Sequence, residues 1–168
     1  MWGSPVMQRA VLFLIALTLA GVASATERGP VTNLPLPRYV SMKADEGNVR
    51  RGPSLTHRVD WIFNHTHQPL KVVAEYGHWR RVQDHEGQGG WMHYSLLSGS
   101  RWVRVQDEKV SLRLKPNDAA ATKAYAERGA LARLGDCETN WCQISADGYS
   151  GWVLKSQIWG VAADELRD

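Results

Sequence analysis

The chain contains one module twice. The first copy reads Asn48-Val49-Arg50-Arg51-Gly52-Pro53-Ser54, then Trp79-Arg80-Arg81-Val82, Gly90-Trp91 and Ser95-Leu96-Leu97-Ser98-Gly99. The second reads Ser111-Leu112-Arg113-Leu114-Lys115-Pro116-Asn117, then Trp141-Cys142-Gln143-Ile144, Gly151-Trp152 and Ser156-Gln157-Ile158-Trp159-Gly160. The offset is 63 residues at the Arg and Pro, 62 at the first Trp, and 61 at the second Trp, Ser and Gly. So small a drift means that only the loops differ. A repeated unit of about 60 residues sits near the lower limit for folding alone, so two copies gain by sharing an interface.

The first 25 residues read as a secretory signal: Arg9 is the charged start, Val11 to Ala20 is apolar, and Ala23-Ser24-Ala25 is a small-residue cleavage site. The apolar run is shorter than the roughly 20 residues a spanning helix needs, so no stable membrane span is expected after cleavage. Met1 and Met7 are both possible starts. The expected location is periplasmic or secreted. Residues 38–105 hold 10 Lys/Arg against 6 Asp/Glu, a charge of +4, and residues 106–168 hold 8 against 10, a charge of −2. All six histidines lie within residues 38–105. The first module therefore favours acidic partners, and export argues against nucleic acid.

Cys137 and Cys142 are the only cysteines. In an oxidising compartment they form a disulfide across a hairpin loop of Glu138 to Trp141. The spacing is not that of a redox Cys-x-x-Cys pair. The rest of the chain alternates short strand-like runs with glycine-rich turns, the pattern of a small all-β barrel. Residues 26–37 form an extended leader in which Pro30, Pro35 and Pro37 exclude helix. The first module spans 38–105, with Trp102 to Val105 closing it. The second spans 106–161, with Thr122 to Glu127 read as strand from its place in the repeat. Residues 162–168 form a polar tail.

The pattern Asn-Val-Arg-x-Gly-Pro-Ser, an aromatic strand, Trp-Arg-x-Val and Gly-Trp-x-x-x-Ser-Leu-Leu-Ser-Gly resembles the bacterial SH3-like family. It is most like the exported tandem SH3-like proteins of Gram-negative bacteria. Leu34-Pro35-Leu36-Pro37-Arg38-Tyr39-Val40-Ser41 and the block Cys137-Glu138 with Trp141-Cys142 and Gly151-Trp152 carry the same likeness. The resemblance implies an all-β chain of two tandem small SH3-like barrels behind a cleavable signal peptide. It also implies a peptide- or envelope-binding scaffold, some relatives of which target cell-wall hydrolases to peptidoglycan. Two places depart from the family: Gly47 replaces a larger apolar residue, and Asn64-His65-Thr66-His67-Gln68 replaces an Arg/Gly-rich turn.

No catalytic constellation accompanies this pattern. No Gly-x-Ser-x-Gly elbow occurs, no histidine lies in the second module beside the cysteines, and the adjacent acids Asp45-Glu46 and Asp107-Glu108 point to opposite faces of any strand. No cofactor is expected. His65 and His67 are weak metal candidates, on one face if extended and otherwise in a solvent-exposed loop. Aromatic residues are the better recognition candidates. Trp79/Trp141 and Trp91/Trp152 recur and point to packing, while Trp61, Tyr94, Trp102 and Trp159 have no partner in the other copy and serve either contact or packing between modules. Arg50, Arg80 and Arg81 are possible anion clamps, and alternation allows only one of Arg80 and Arg81 to face outward. The expected ligand site is an aromatic groove of Trp61, Trp79, Trp91 and Tyr94 rimmed by Arg50 and Arg81. The expected function is non-enzymatic recognition of peptidoglycan peptide or a periplasmic protein. The alternatives are an adaptor docking one protein partner and, behind it, a periplasmic metal-binding protein.

Overall fold

A computed structural model describes residues 27–168. The stretch read as a signal peptide lies outside the described residues. The first half holds β1 (Arg38–Met42), β2 (Gly47–Arg50), β3 (Val59–Phe63), β4 (Pro69–Tyr76), β5 (Trp79–Gln83), β6 (Gly89–His93) and β7 (Leu97–Ser98). The second holds β8 (Trp102–Val105), β9 (Lys109–Arg113), β10 (Thr122–Glu127), β11 (Leu131–Cys137), β12 (Trp141–Ala146), β13 (Tyr149–Leu154) and β14 (Ile158–Trp159). The strand orders are β3-β2-β6-β5-β4-β1-β7 and β10-β9-β13-β12-β11-β8-β14, the same topology twice. A single 3-10 turn, Tyr94–Leu96 or Lys155–Gln157, precedes the last strand of each module.

One boundary differs from the sequence expectation. Trp102 to Val105 does not close the first module: β8 pairs with β11 and β14 and so opens the second. The offset of 63 that relates Arg50 to Arg113 also relates Tyr39 to Trp102 and Met42 to Val105. Trp102 thus has an aromatic counterpart after all, and the two modules meet with only Gly99, Ser100 and Arg101 between their strands.

Alternation along the strands builds the two cores. Met42, Val49, Leu70, Val72, Val82 and Met92 are fully buried in the first, and Val105, Leu112, Ala132, Leu134, Ile144 and Val153 take the equivalent places in the second. The side chains are smaller in the second module at the Met42, Leu70 and Met92 positions. This explains Gly47. A Cβ there would meet Met92 Cε at 2.5 Å and Met42 Cε at 3.1 Å, so two methionine ends fill space that Val110 fills in the other copy. Flexible methionine is suited to such irregular gaps. The repeated Gly-Trp has a different cause. A Cβ on Gly90 would lie 2.5 Å from the Arg50 carbonyl oxygen, and one on Gly151 would lie 2.6 Å from Leu112 Cβ. The backbones of adjacent strands approach too closely there for any other residue.

The second core includes the disulfide. Cys137 and Cys142 are cross-strand partners bonded at the base of the β11–β12 hairpin, with Cα atoms 4.1 Å apart. The polar tail folds back onto this module. Arg167 exchanges backbone hydrogen bonds with Cys137, and the buried Lys155 Nζ donates to the Ala163 and Glu165 carbonyls at 3.1 and 2.6 Å. Arg101 grips the Glu165 carboxylate with Nη1 at 2.6 Å and Nη2 at 3.1 Å.

The leader is helix-free as its prolines require, yet it is folded. It loops back on itself through an Arg28–Pro35 bridge and puts Leu36 into the first core. The loop sits on Glu75, whose side chain is wholly buried. The Glu75 carboxylate accepts from the Val31 and Thr32 amides at 3.1 and 2.9 Å and from Thr32 Oγ1 at 2.6 Å, and it pairs with Arg38 at 2.7 Å. Burial alone would raise its pKa. The donors from Thr32, Arg38 and Val31 together outweigh burial and hold it at about 2.

Candidate ligand-binding surfaces

The structure divides the six predicted site residues into three groups. Arg50, Trp91 and Arg81 come together. Trp91 on β6 is the cross-strand partner of Arg50 on β2 and of Arg81 on β5. Their neighbours Val49, Val82 and Met92 face the core, so this row faces outward by strand alternation. Arg81 is exposed and carries no hydrogen bond or ion pair among the described residues. Arg80 is the inward one: it is buried, donates to the Gly77 and Trp79 carbonyls, and lies 3.7 Å from the Glu75 carboxylate. β5 pairs with β6 in unbroken register, so the alternation holds from Trp79 to Gln83.

Around this row lies a groove of about 390 Å³ that also takes in Arg51 and Asp60. Arg50 Nη1 donates to the Leu55 and His57 carbonyls and so holds the β2–β3 loop as one wall. Asp60 accepts from Arg58 Nε at 2.7 Å and Arg51 Nε at 3.1 Å. The Arg58 hydrogen bond is the main cause that holds its carboxyl below the usual carboxylate range. The second module repeats the frame without the unpartnered arginine. Arg113 holds its own loop through the Ala120 carbonyl and pairs with Trp152, but Gln143 stands where Arg81 stands in the first.

Trp79 and Tyr94 belong to a second cluster, with His78 and His93. Trp79 meets His93 edge-on at 5.5 Å, and Tyr94 lies 5.0 Å from His93 and 5.6 Å from His78. The equivalent surface of the second module has Asn140, Trp141, Leu154 and Lys155, which line an open cavity of about 530 Å³. Trp61 joins neither group. It stands on edge strand β3 opposite Val49, 44% exposed. The single aromatic groove expected from sequence is therefore two surfaces and an outlier.

Trp159 and Trp102 pack the modules together. Trp159 meets Tyr39 edge-on at 5.3 Å, and His67 stacks on Trp102 at 3.9 Å with the planes 8° apart. Burial pushes the Tyr39 phenol up, although the nearby Arg101 pulls the other way. His65 and His67 lie in the loop between β3 and β4, and no group of three metal-ligating side chains converges among the described residues.

The description "Bacterial SH3 domain" matches residues 43–99 and 106–160, one match per module. A putative N-acetylmuramoyl-L-alanine amidase, YrvJ, of Bacillus subtilis is 23% identical over 135 residues, covering 74% of this chain and 26% of that protein. Two solved structures from Trichomonas vaginalis, of NlpC2 and NlpC1, are similar at 12% and 11% identity. Each match covers 73% of this chain, with 47% and 45% of those chains covered and a TM-score of 0.34 in both cases. The chain thus spans about a quarter of the length of the curated relative it matches. With both repeats matched and the same strand order in each, the chain belongs to the bacterial SH3 domain family.

Proposed function

We propose that the protein is a non-enzymatic binding protein of the cell envelope that recognises peptidoglycan through the outward face of its first module. The observation that carries this reading is the Arg50–Trp91–Arg81 row. It offers an aromatic platform beside an arginine with no internal partner, in the half of the chain that carries the positive charge. Arginine on an open groove suits carboxylate-bearing ligands, and tryptophan supplies contact area. Likeness to an enzyme named for a muramoyl–alanine bond supports the ligand class, and the disulfide supports a location outside the reducing cytoplasm. The chain shares only a minor part of that enzyme, as a targeting module would.

Co-sedimentation of the purified protein with intact sacculi tests this. Binding is expected to survive ~0.3 M salt, where long-range charge attraction is screened, and to weaken in Arg81→Ala. Trp61→Ala and Tyr94→Ala report whether the other exposed aromatics contribute. Absence of sedimentation at any salt would refute the reading. The exposed pair Trp61 and Ile62 on edge strand β3 favours the second reading, an adaptor docking a protein partner by strand addition.

A further inference from the structure

A second cleft, of about 450 Å³, opens where the leader, the first module and the tail meet. Four arginines reach it: Arg38, Arg80, Arg101 and Arg167. Glu75 neutralises Arg38 and Arg80 in part, and Glu165 neutralises Arg101, which leaves a surplus of two positive charges. Among the described residues, the buried side-chain polar atoms without a hydrogen-bond partner are Arg38 Nη1 and Arg101 Nε. Both belong to this one cleft. Each of these guanidiniums has a carboxylate on one side and a donor left over. Both atoms are themselves closed off from solvent, so the guanidiniums are held at a cost, and an anion in the cleft offsets it through their charge.

The remaining walls narrow the ligand. Arg101 lies 5.6 Å from the Tyr39 ring and Arg80 lies 5.9 Å from the Tyr94 ring, so the charges are held on aromatic faces. Leu34, Val40 and Leu97 supply apolar lining beside them. A surplus of two charges next to aliphatic side chains fits a small anion with an apolar body better than a polyanion. We propose that this inter-module cleft binds the terminal carboxylate of a short peptide with small apolar side chains. The site is distinct from the Arg81 groove. Of the proposed function it takes only the chemical class, a peptide with free carboxylates.

Titration of the purified protein with N-acetyl-alanyl-alanine, its C-terminal amide and inorganic phosphate tests the proposal. Calorimetry gives affinity, and the Nε–H resonance of Arg101 reports the site. The expected result is saturable binding of the acid, at least tenfold weaker binding of the amide, and a shift of the Arg101 resonance. Arg167→Ala removes a cleft arginine that has no side-chain partner among the described residues, and it is expected to weaken the acid at least tenfold. Arg128→Ala, on an exposed turn of the second module, leaves binding unchanged. Equal binding of acid and amide, no binding up to about 10 mM, or phosphate binding as tightly as the peptide each overturns the proposal. Sacculus binding without peptide binding defeats this proposal alone, and the reverse defeats only the function proposed above.

Discussion

Glu75 is the residue on which the leader depends, and Glu75→Gln measures that dependence. The carboxylate receives three hydrogen bonds from the leader and an ion pair from Arg38 at 2.7 Å, with Arg80 behind it. Glutamine keeps the size but sets an NH2 group against those donors. It also leaves two buried arginines without their counter-charge. Removing one partner of a buried pair costs about 3–5 kcal/mol. The pKa supplies a separate figure. A fall from 4.5 to about 2 on folding corresponds to about 3 kcal/mol of stability. The folded-state pKa lies below the unfolded one, so this stability is present in full above pH 4.5 and is lost as the pH falls toward about 2. Urea unfolding followed by tryptophan fluorescence provides the assay. At pH 7 the variant is expected to be less stable by about 3 kcal/mol, and at about pH 2 the gap closes to under about 1 kcal/mol. A variant within about 0.5 kcal/mol of the parent at pH 7, the usual spread for an inconsequential surface change, would refute the reasoning. So would a gap that stays constant with pH.

Four further outcomes follow from the packing. Gly90→Ala sets a methyl 2.5 Å from the Arg50 carbonyl oxygen and is expected to cost about 1–3 kcal/mol, read as a lower Tm. Reduction of Cys137–Cys142 removes a short closed loop and is expected to cost about 2 kcal/mol, measured by urea unfolding with and without reductant. Trp159→Ala removes the edge contact with Tyr39, and calorimetry is expected to show the modules melting in two separate steps; one unchanged transition contradicts the interface described here. Gln143→Arg places beside Trp152 the arginine that the first module has beside Trp91, and it is expected to strengthen sacculus sedimentation at low salt.

The outward row of the candidate site was legible in the sequence only in part. Alternation placed Arg80 and Arg81 on opposite faces, but the choice between them required knowing that Val82 is in the core and that a buried Glu75 lies within reach of Arg80. Glu75 itself gave no local signal. It is one acid in an apolar strand, and its donors come from residues 43 and 44 positions away. Trp61 and Tyr94 looked alike as unmatched aromatics, and only the strand order separates the edge position of one from the histidine cluster of the other.

What the sequence determined by itself was whatever repeats or is local. The doubled motif set two modules of one topology, period-two hydrophobicity set the strands, and two cysteines five residues apart across a hairpin set the disulfide. These follow from contacts between near neighbours or from a pattern written twice. The tertiary structure decided where one module ends and the next begins, because β8 is assigned by its hydrogen-bond partners rather than by its own residues. It also decided that the leader is held by hydrogen bonds to a buried carboxylate and the tail by an ion pair, that Trp102 and Trp159 join the modules, and that four arginines distant in sequence face one cleft. Ion pairs and aromatic contacts of this kind depend on the distance between side chains in space, which a chain written in one dimension does not carry.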